Sequence, residues 1–495
     1  MAFRHARRYL RRMPETTSDA LIFEPGRNCW RVEHANKLAV IVDADGYFRA
    51  ARQAMLTAKQ QILLIGWDFD ARILLNHDDP PDHPEAPREV GAFISWLIAR
   101  NPDLQVHILR WDLGALKTLF RGKTFRTLLK WRFDDQVHLK LDSTHPPGAS
   151  HHQKIVVIDD CVAFCGGIDM TLSRWDTRDH ADTCDRADPD GCDYMPWHDA
   201  TTAIQGPAAR ALGQLCRERW HRAGGGPIYA PEVESECWPE CLTPDFTDTR
   251  VAIARTQPEM ADDKPIHEIE ALYLDLIASA RRHIYAESQY FASRRIAEAI
   301  AKRLEEPDGP EIVVINPAAA DGWLEQEAMD TARARLFQAL KQRDPHDRLR
   351  LYHPVTSGGQ PIYVHAKILV IDDRVLRVGS SNLNNRSLGL DTECDVALSA
   401  TDAETKTRIA AIRNSLIAEH LGLDTITVAD SIASTGSLIH TIETLRTSGR
   451  RLVDYVVPDL ATVEAWLAEN QVLDPGKETV FEAMSRGGLL RFLDR

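Results

Sequence analysis

Two short segments of the chain carry the same reactive residues at the same spacing. His152-Gln153-Lys154-Ile155-Val156-Val157-Ile158-Asp159 is matched, 213 residues later, by His365-Ala366-Lys367-Ile368-Leu369-Val370-Ile371-Asp372. After each Asp, six residues intervene before a glycine turn, Gly166-Gly167-Ile168-Asp169 in one case and Gly379-Ser380-Ser381-Asn382 in the other. Near neutral pH an imidazole can serve as a nucleophile or as a general acid and base. An ammonium group adds fixed positive charge for phosphate oxygens without a metal. Supplied twice, two imidazoles and two ammonium groups can converge into an electropositive pocket of phosphate size, and the chemistry that suits it is phosphodiester cleavage. A single His in an apolar strand is ordinarily a satisfied core residue, and a single Lys ordinarily faces solvent. Repetition at matched spacing reverses that reading, because nothing structural requires both types on one face of two buried strands.

Such residues need strands to carry them. On a strand, residues i and i+2 share a face, so His152 and Lys154 should project together, as should His365 and Lys367. A helical pattern across Tyr47 to Lys59 leads into an apolar run, Ile62 to Gly66, and then Trp67-Asp68-Phe69-Asp70. In the second half a helical pattern from Ile266 to Arg282 leads into Ile284-Tyr285-Ala286-Glu287-Ser288-Gln289-Tyr290-Phe291. Further buried-strand candidates, Val106 to Leu109 and Ile312 to Ile315, each precede a helical stretch. Strands alternating with helices, duplicated within one chain, indicate α/β layering. Gly224-Gly225-Gly226-Pro227 and the prolines at 231, 239 and 244 mark a linker. The expected organisation is a basic arm over 1–35, a first repeat over 36–225, a linker over 226–250, a second repeat over 251–430 and a helical tail over 431–495. The tail shows amphipathic patterns around Leu438 to Tyr455 and Val463 to Leu467.

Composition narrows the setting. The chain has 495 residues, enough for two or three domains, and its 44% hydrophobic and 27% charged residues are globular in balance. The 73 acids against 59 Lys and Arg leave a formal charge of −14, which works against nucleic acid as a partner. No apolar run approaches the ~18–20 residues that span a bilayer. Arg4, Arg7, Arg8, Arg11 and Arg12 precede the first acid, Glu15, with no apolar h-region after them, so they are not a secretory signal. They read as a disordered arm or as a weak anchor on an anionic leaflet. The nine scattered cysteines form no zinc pattern and read as reduced thiols. Asp176 to Asp193 carries seven aspartates, faintly like a calcium loop, but it lacks the ligand order and the closing Glu and reads as a solvated acidic loop at the site mouth.

The pattern H-x-K-x4-D-x6-G-[SG]-x-[ND], occurring twice, resembles the signature of the phospholipase D superfamily over roughly residues 40–420. Gly66-Trp67-Asp68, Pro196-Trp197-His198-Asp199, Gln289-Tyr290-Phe291 and the set Asn382, Asn384, Arg386 and Ser387 are similar to segments of its phospholipid-acting members. The resemblance implies an α/β fold of two similar phospholipase D-like domains. Each would be a mixed β-sheet flanked by helices, and the two would be related by a pseudo-two-fold axis with the active site at their interface. It also implies a ping-pong mechanism through a phosphohistidine, with His152 as nucleophile and His365 as acid and base. Lys154 and Lys367 would hold the phosphoryl oxygens, helped by Ser380, Asn382, Gly167 and Asp169. Asp169 stands where the second half has asparagine, so a structural role is equally open to it.

Asp159 and Asp372 complete the signature. Five residues beyond Lys, each falls on the strand face opposite its own His, so catalysis and support of the fold both stand open. A nucleophilic His needs an acceptor at its second nitrogen. Glu393 matches the family's position for that group, and in the first half His198 or Asp199 could serve. His145 and His151 have no repeat partners and read as surface or loop residues. The activity implied is a phospholipase D that hydrolyses glycerophospholipids to phosphatidic acid and a head group, with transphosphatidylation. The alternatives are a cardiolipin synthase-type phosphatidyltransferase, a family nuclease or a non-enzymatic membrane-binding module. Membrane phospholipid is the implied partner, with no cofactor and no metal. The chain is expected to be a monomer that is cytoplasmic or peripheral at the inner membrane surface.

Overall fold

The computed structural model describes residues 22–457 apart from 78–82, 113–121, 132, 185, 233–235, 261–262 and 320–322. The arginines of the N-terminal arm and the amphipathic pattern at Val463 to Leu467 lie outside the described residues. The first half contributes β1 (Arg31–Val42), β2 (Gln61–Gly66), β3 (Gln105–Trp111), β4 (Val137–Asp142), β5 (Ile155–Ile158), β6 (Val162–Gly166), β7 (Trp197–His198) and β8 (Ala200–Gln205). The second contributes β9 (Phe246–Gln257), β10 (Ile266–His267), β11 (His283–Glu287), β12 (Glu311–Ile315), β13 (Leu349–Val355), β14 (Tyr363–Val364), β15 (Ile368–Ile371), β16 (Val375–Gly379), β17 (Glu393–Ser399) and β18 (Arg451–Asp454).

All but β7 and β14 join one mixed sheet of 16 strands, ordered β18-β13-β12-β11-β15-β16-β17-β9-β1-β8-β6-β5-β2-β3-β4, with β10 paired to β9. Outward from β1 the order is β8, β6, β5, β2, β3, β4, and outward from β9 it is β17, β16, β15, β11, β12, β13. In each half the outer three strands pair in parallel and the others antiparallel. The sheets of the two halves are thus fused edge to edge, because β1 and β9 pair antiparallel from Arg31 opposite Ile253 to Leu38 opposite Phe246. Two strand edges that would template aggregation are removed by this pairing.

Strands β2, β5 and β15 are almost continuous apolar runs because both of their faces are covered. On one face Leu63, Ile65, Val157, Val370 and Val396 share a core that runs through both halves. The helices Pro207–Arg222 and Ala403–Leu421 cover it. On the other face the alternate residues split into two cores, with Leu64, Val156 and Ile158 in one and Ile284, Leu369 and Ile371 in the other. The helix Ala44–Leu56 packs Tyr47, Phe48, Ala51, Ala54 and Met55 onto the first of these, at the spacing of one helical face.

Several expectations change. His152, Lys154, His365 and Lys367 lie on the lead-in segments just before β5 and β15, not within the strands. Each segment is held by backbone of the opposite half, His152 N donating to Thr392 O (2.9 Å) and His365 N to His198 O (2.7 Å). Strand β9 begins inside the stretch read as linker. The tail is not wholly helical: after the helix Leu438–Leu445, β18 pairs with β13 and covers the sheet edge. Cys161 and Cys237 form a disulfide across 76 residues, where reduced thiols were expected. The fold folds the segment after Pro207–Arg222 back onto the β5–β6 turn, a proximity that Cys spacing cannot reveal.

Candidate active site

The two motif histidines face each other with ring centroids 6.4 Å apart. Each is oriented by an acid of the opposite half. Glu393, at the start of β17, places Oε1 and Oε2 3.1 and 3.0 Å from His152 Nδ1. Asp199, between β7 and β8, places Oδ2 2.6 Å from His365 Nδ1. The pairing β7–β14, Tyr363 opposite Trp197 and Val364 opposite His198, brings the second of these contacts together. The His151–Thr392 bridge does the same for the first. Both Nε2 atoms are left for chemistry, with Nδ1 as the anchored nitrogen. Sequence reasoning found Glu393 and left His198 or Asp199 open. The structure settles on Asp199, because His198 turns away into a separate buried cluster and meets Glu287 Oε2 at 2.7 Å.

Lys154 Nζ lies 3.2 Å from Asp169 Oδ2 and donates to His152 O at 2.9 Å. Lys367 Nζ donates to His365 O and lies 3.4 Å from Gln289 Oε1. Each Lys thus folds back onto the backbone carbonyl of its own His, and the charge of both lysines acts on the two imidazoles.

The proposed phosphate helpers are engaged otherwise. Ser380 Oγ donates to Glu393 Oε2 (2.5 Å), so it orients the carboxylate. Gly167 N donates to Ala200 O (2.8 Å), and its value is closeness: a Cβ there would sit 2.2 Å from Asp199 Oδ1. Asp169 Oδ1 accepts Trp67 N (3.0 Å), and Asn382 Oδ1 accepts Gln289 N (3.2 Å). These contacts fix the Trp67 and Gln289 loops beside the two lysines.

Asp159 and Asp372 stand outside the reacting centre. Asp159 accepts backbone N–H groups from Lys59, Gln60 and Gln61, and Asp372 from Arg281, Arg282 and His283. Each ties the end of its motif strand to the turn entering the neighbouring strand. Both adopt positive φ, 48° and 54°, a conformation that Asp tolerates better than most residues. His151 is not a surface or loop residue, whereas His145 is half-buried in the loop that follows β4. His151 is buried 3.1 Å from Asp142 because the cross-half bridge pulls it inward, and His145 Nε2 meets Asp112 at 3.0 Å. The acidic stretch is also anchored: buried Asp176 accepts from Trp197 N and pairs with His180 and Arg186. Asp182 holds Gly358 N at 2.7 Å. Arg174, which no motif flagged, stacks 4.2 Å over Trp197, and Trp197 in turn lies 5.2 Å from His365.

Burial sets the charge state. Burial first, then Lys154 and Lys367, holds the His152 imidazole well below its ordinary value. Burial, then Lys367 and Arg174, does the same for His365. Burial pushes the Lys367 ammonium down to about 7 and the Glu393 carboxyl up to about 7, and it raises Asp199. A neutral imidazole is the nucleophilic form, and an anion entering beside Lys367 would restore the charge of that ammonium.

A helix-flanked mixed sheet thus carries two His-Lys pairs whose histidines face each other between the two halves. Residues 273–414 match a family model described as cardiolipin synthase, PLD-like domain. The chain is 25% identical to phospholipase D A of Dictyostelium discoideum over 73% of its length, and 24% identical to phospholipase D alpha 2 of Oryza sativa subsp. japonica over 76%. It spans 32% and 64% of those relatives. Its fold is similar to the crystal structure of phosphatidylserine synthase from Haemophilus influenzae Rd KW20, with TM-score 0.54 and 13% identity, covering 89% of this chain and 93% of that one. These likenesses support membership of the phospholipase D superfamily. Among the described residues no helix is long and apolar enough to cross a membrane.

Proposed function

We propose that the protein is a phospholipase D-type phosphodiesterase that acts on glycerophospholipids by a two-step displacement. The observation that carries this reading is the crossed arrangement of His152–Glu393 and His365–Asp199 around facing rings, with both lysines folded onto the carbonyls of those histidines. The phosphodiester anion enters between Lys154 and Lys367. His152 Nε2 attacks phosphorus and the bond to the head-group oxygen breaks. His365, which takes up a proton with the anionic substrate and is then an imidazolium held by Asp199, gives its Nε2 proton to the departing alkoxide and becomes neutral. Water then loses a proton to His365 as its oxygen attacks phosphorus. The P–N bond breaks, and phosphatidic acid and neutral His152 are released. An alcohol in place of water gives transphosphatidylation from the same intermediate. The phospholipase D names of the relatives and the −14 charge, which repels nucleic acid, support lipid over DNA as substrate.

The test is phosphorus NMR of mixed phospholipid vesicles incubated with the protein, with and without ethanol, beside His152→Ala. Phosphatidic acid in water and phosphatidylethanol with ethanol, both absent in the variant, are the expected products. Absence of lipid turnover by the unmodified protein would overturn the reading.

A further inference from the structure

Behind the active site lies a second cluster of ionisable groups that the proposed chemistry does not use. Asp43, His180, His198 and Glu419 are all buried, and each can turn one ligand atom into a common space, these atoms lying within 4.8 Å of one another. His180 Nε2 is 3.6 Å from Asp43 Oδ2 and 3.3 Å from Glu419 Oε1. His198 Nδ1 is 3.4 Å from Asp43 Oδ1 and 2.7 Å from Glu419 Oε1. A tetrahedral zinc-type ion with ligands at ~2.0–2.1 Å sets them roughly 3.3–3.4 Å apart. The contacts here run from 2.7 to 3.6 Å, those of His180 and His198 reaching different oxygens of Asp43.

The outward atoms are secured as ligand residues require. His180 Nδ1 meets the carboxylate of Asp176 at 2.9 Å, and His198 Nε2 meets that of Glu287 at 2.7 Å. A buried carboxylate behind each imidazole is the arrangement that fixes metal-ligating histidines. Glu419 Oε2 is taken by Arg178, and Asp43 Oδ1 accepts Asp199 N at 3.0 Å. Asp43 Oδ2 is buried with no hydrogen-bond partner, and His198 Nδ1 faces the same space against Glu419 Oε1. Asp43 also adopts φ 65°, a strained backbone for a non-glycine residue, and this aims its carboxylate inward.

We propose that Asp43, His180, His198 and Glu419 bind one divalent cation of the zinc class in a closed, structural site. Two neutral imidazoles and two carboxylates balance the dication and favour a nitrogen- and oxygen-binding borderline metal. The ion joins the end of β1, the 180 loop and β7 to the helix Ala403–Leu421, and so clamps the two halves together. Asp43 N donates to Asp199 O and Asp199 N to Asp43 Oδ1, so the same clamp fixes the acid that orients His365. The site is separate from the reacting centre and does not depend on the identity of the substrate.

The test is elemental analysis of the full chain produced in zinc-supplemented medium, followed by chelation and return of zinc or cobalt. About one zinc per chain is expected, with a fall in Tm on chelation, recovery on adding zinc, and the visible absorption of tetrahedral cobalt after substitution. His152→Ala should keep the full equivalent, while Asp43→Asn combined with His180→Gln should lose it. A metal-free chain whose Tm does not respond to zinc would overturn the proposal, as would zinc retained by the double variant. Should that variant fail to fold, chelation of the unmodified protein still decides.

Discussion

At the scale of single residues, the site works because burial removes charge from groups that water would leave charged. Both imidazoles are held well below the ordinary 6.5 in the free protein, so His152 stays neutral in mildly acid solution and His365 gains its proton only with the anionic substrate. The acid limb of kcat/KM is therefore expected below pH 6.5. The alkaline limb should begin near 7, where free Lys367 loses its proton. A pH–rate profile measures both. The same shifts act on stability. Below 6.5 the unfolded chain binds protons that buried His152 and His365 refuse, so stability is full above that pH and falls as the pH drops through it. Glu393→Gln removes the carboxylate behind His152 while keeping its shape, and should lower kcat roughly 10²–10⁴-fold. The four His and Lys positions were legible in the sequence because they repeat. Asp199 was legible only as one of two neighbours, since adjacent residues point opposite ways and only the fold shows which of them faces His365.

At the scale of elements, the signature aspartates hold the turns that enter the neighbouring strands, and on the proposed mechanism they take no part in the reaction. Asp159→Asn should leave the turn amides at 59–61 poorly matched, costing about 1–3 kcal/mol in denaturant unfolding. Turnover per folded molecule should stay within a few-fold of the unmodified protein. A large loss of kcat at unchanged stability would return Asp159 to the chemistry. Gly167→Ala should act in the opposite way: its Cβ would displace Asp199, so kcat falls through the His365 arm while the strands persist. Periodicity marked β2, β3, β11 and β12 and the helix at Ala44–Leu56, because long apolar runs and helical spacing are local properties. It missed β18, whose strand conformation comes from the exposed edge of β13 and not from its own four residues.

At the scale of the whole molecule, each half supplies the other's acid. Residues of the first half alone would hold His152 without Glu393, so a chain ending before β9 should show no turnover even where it folds. The duplication made this two-part plan readable. The fusion of two sheets into one was not, because the β1–β9 register depends on contacts some two hundred residues apart. Nor was the cluster of Asp43, His180, His198 and Glu419, whose members share no spacing. The central claim is that one covalent bond forms at one named nitrogen across this interface. Mass spectrometry of His365→Ala, quenched after exposure to a phosphatidyl ester of p-nitrophenol, tests it most directly, because that leaving group needs no proton while the second step, without its base, stalls. A phosphatidyl adduct on the peptide containing His152 is the predicted result. No adduct in this variant, or an adduct on the peptide containing His365 when His152→Ala is treated in the same way, would contradict it.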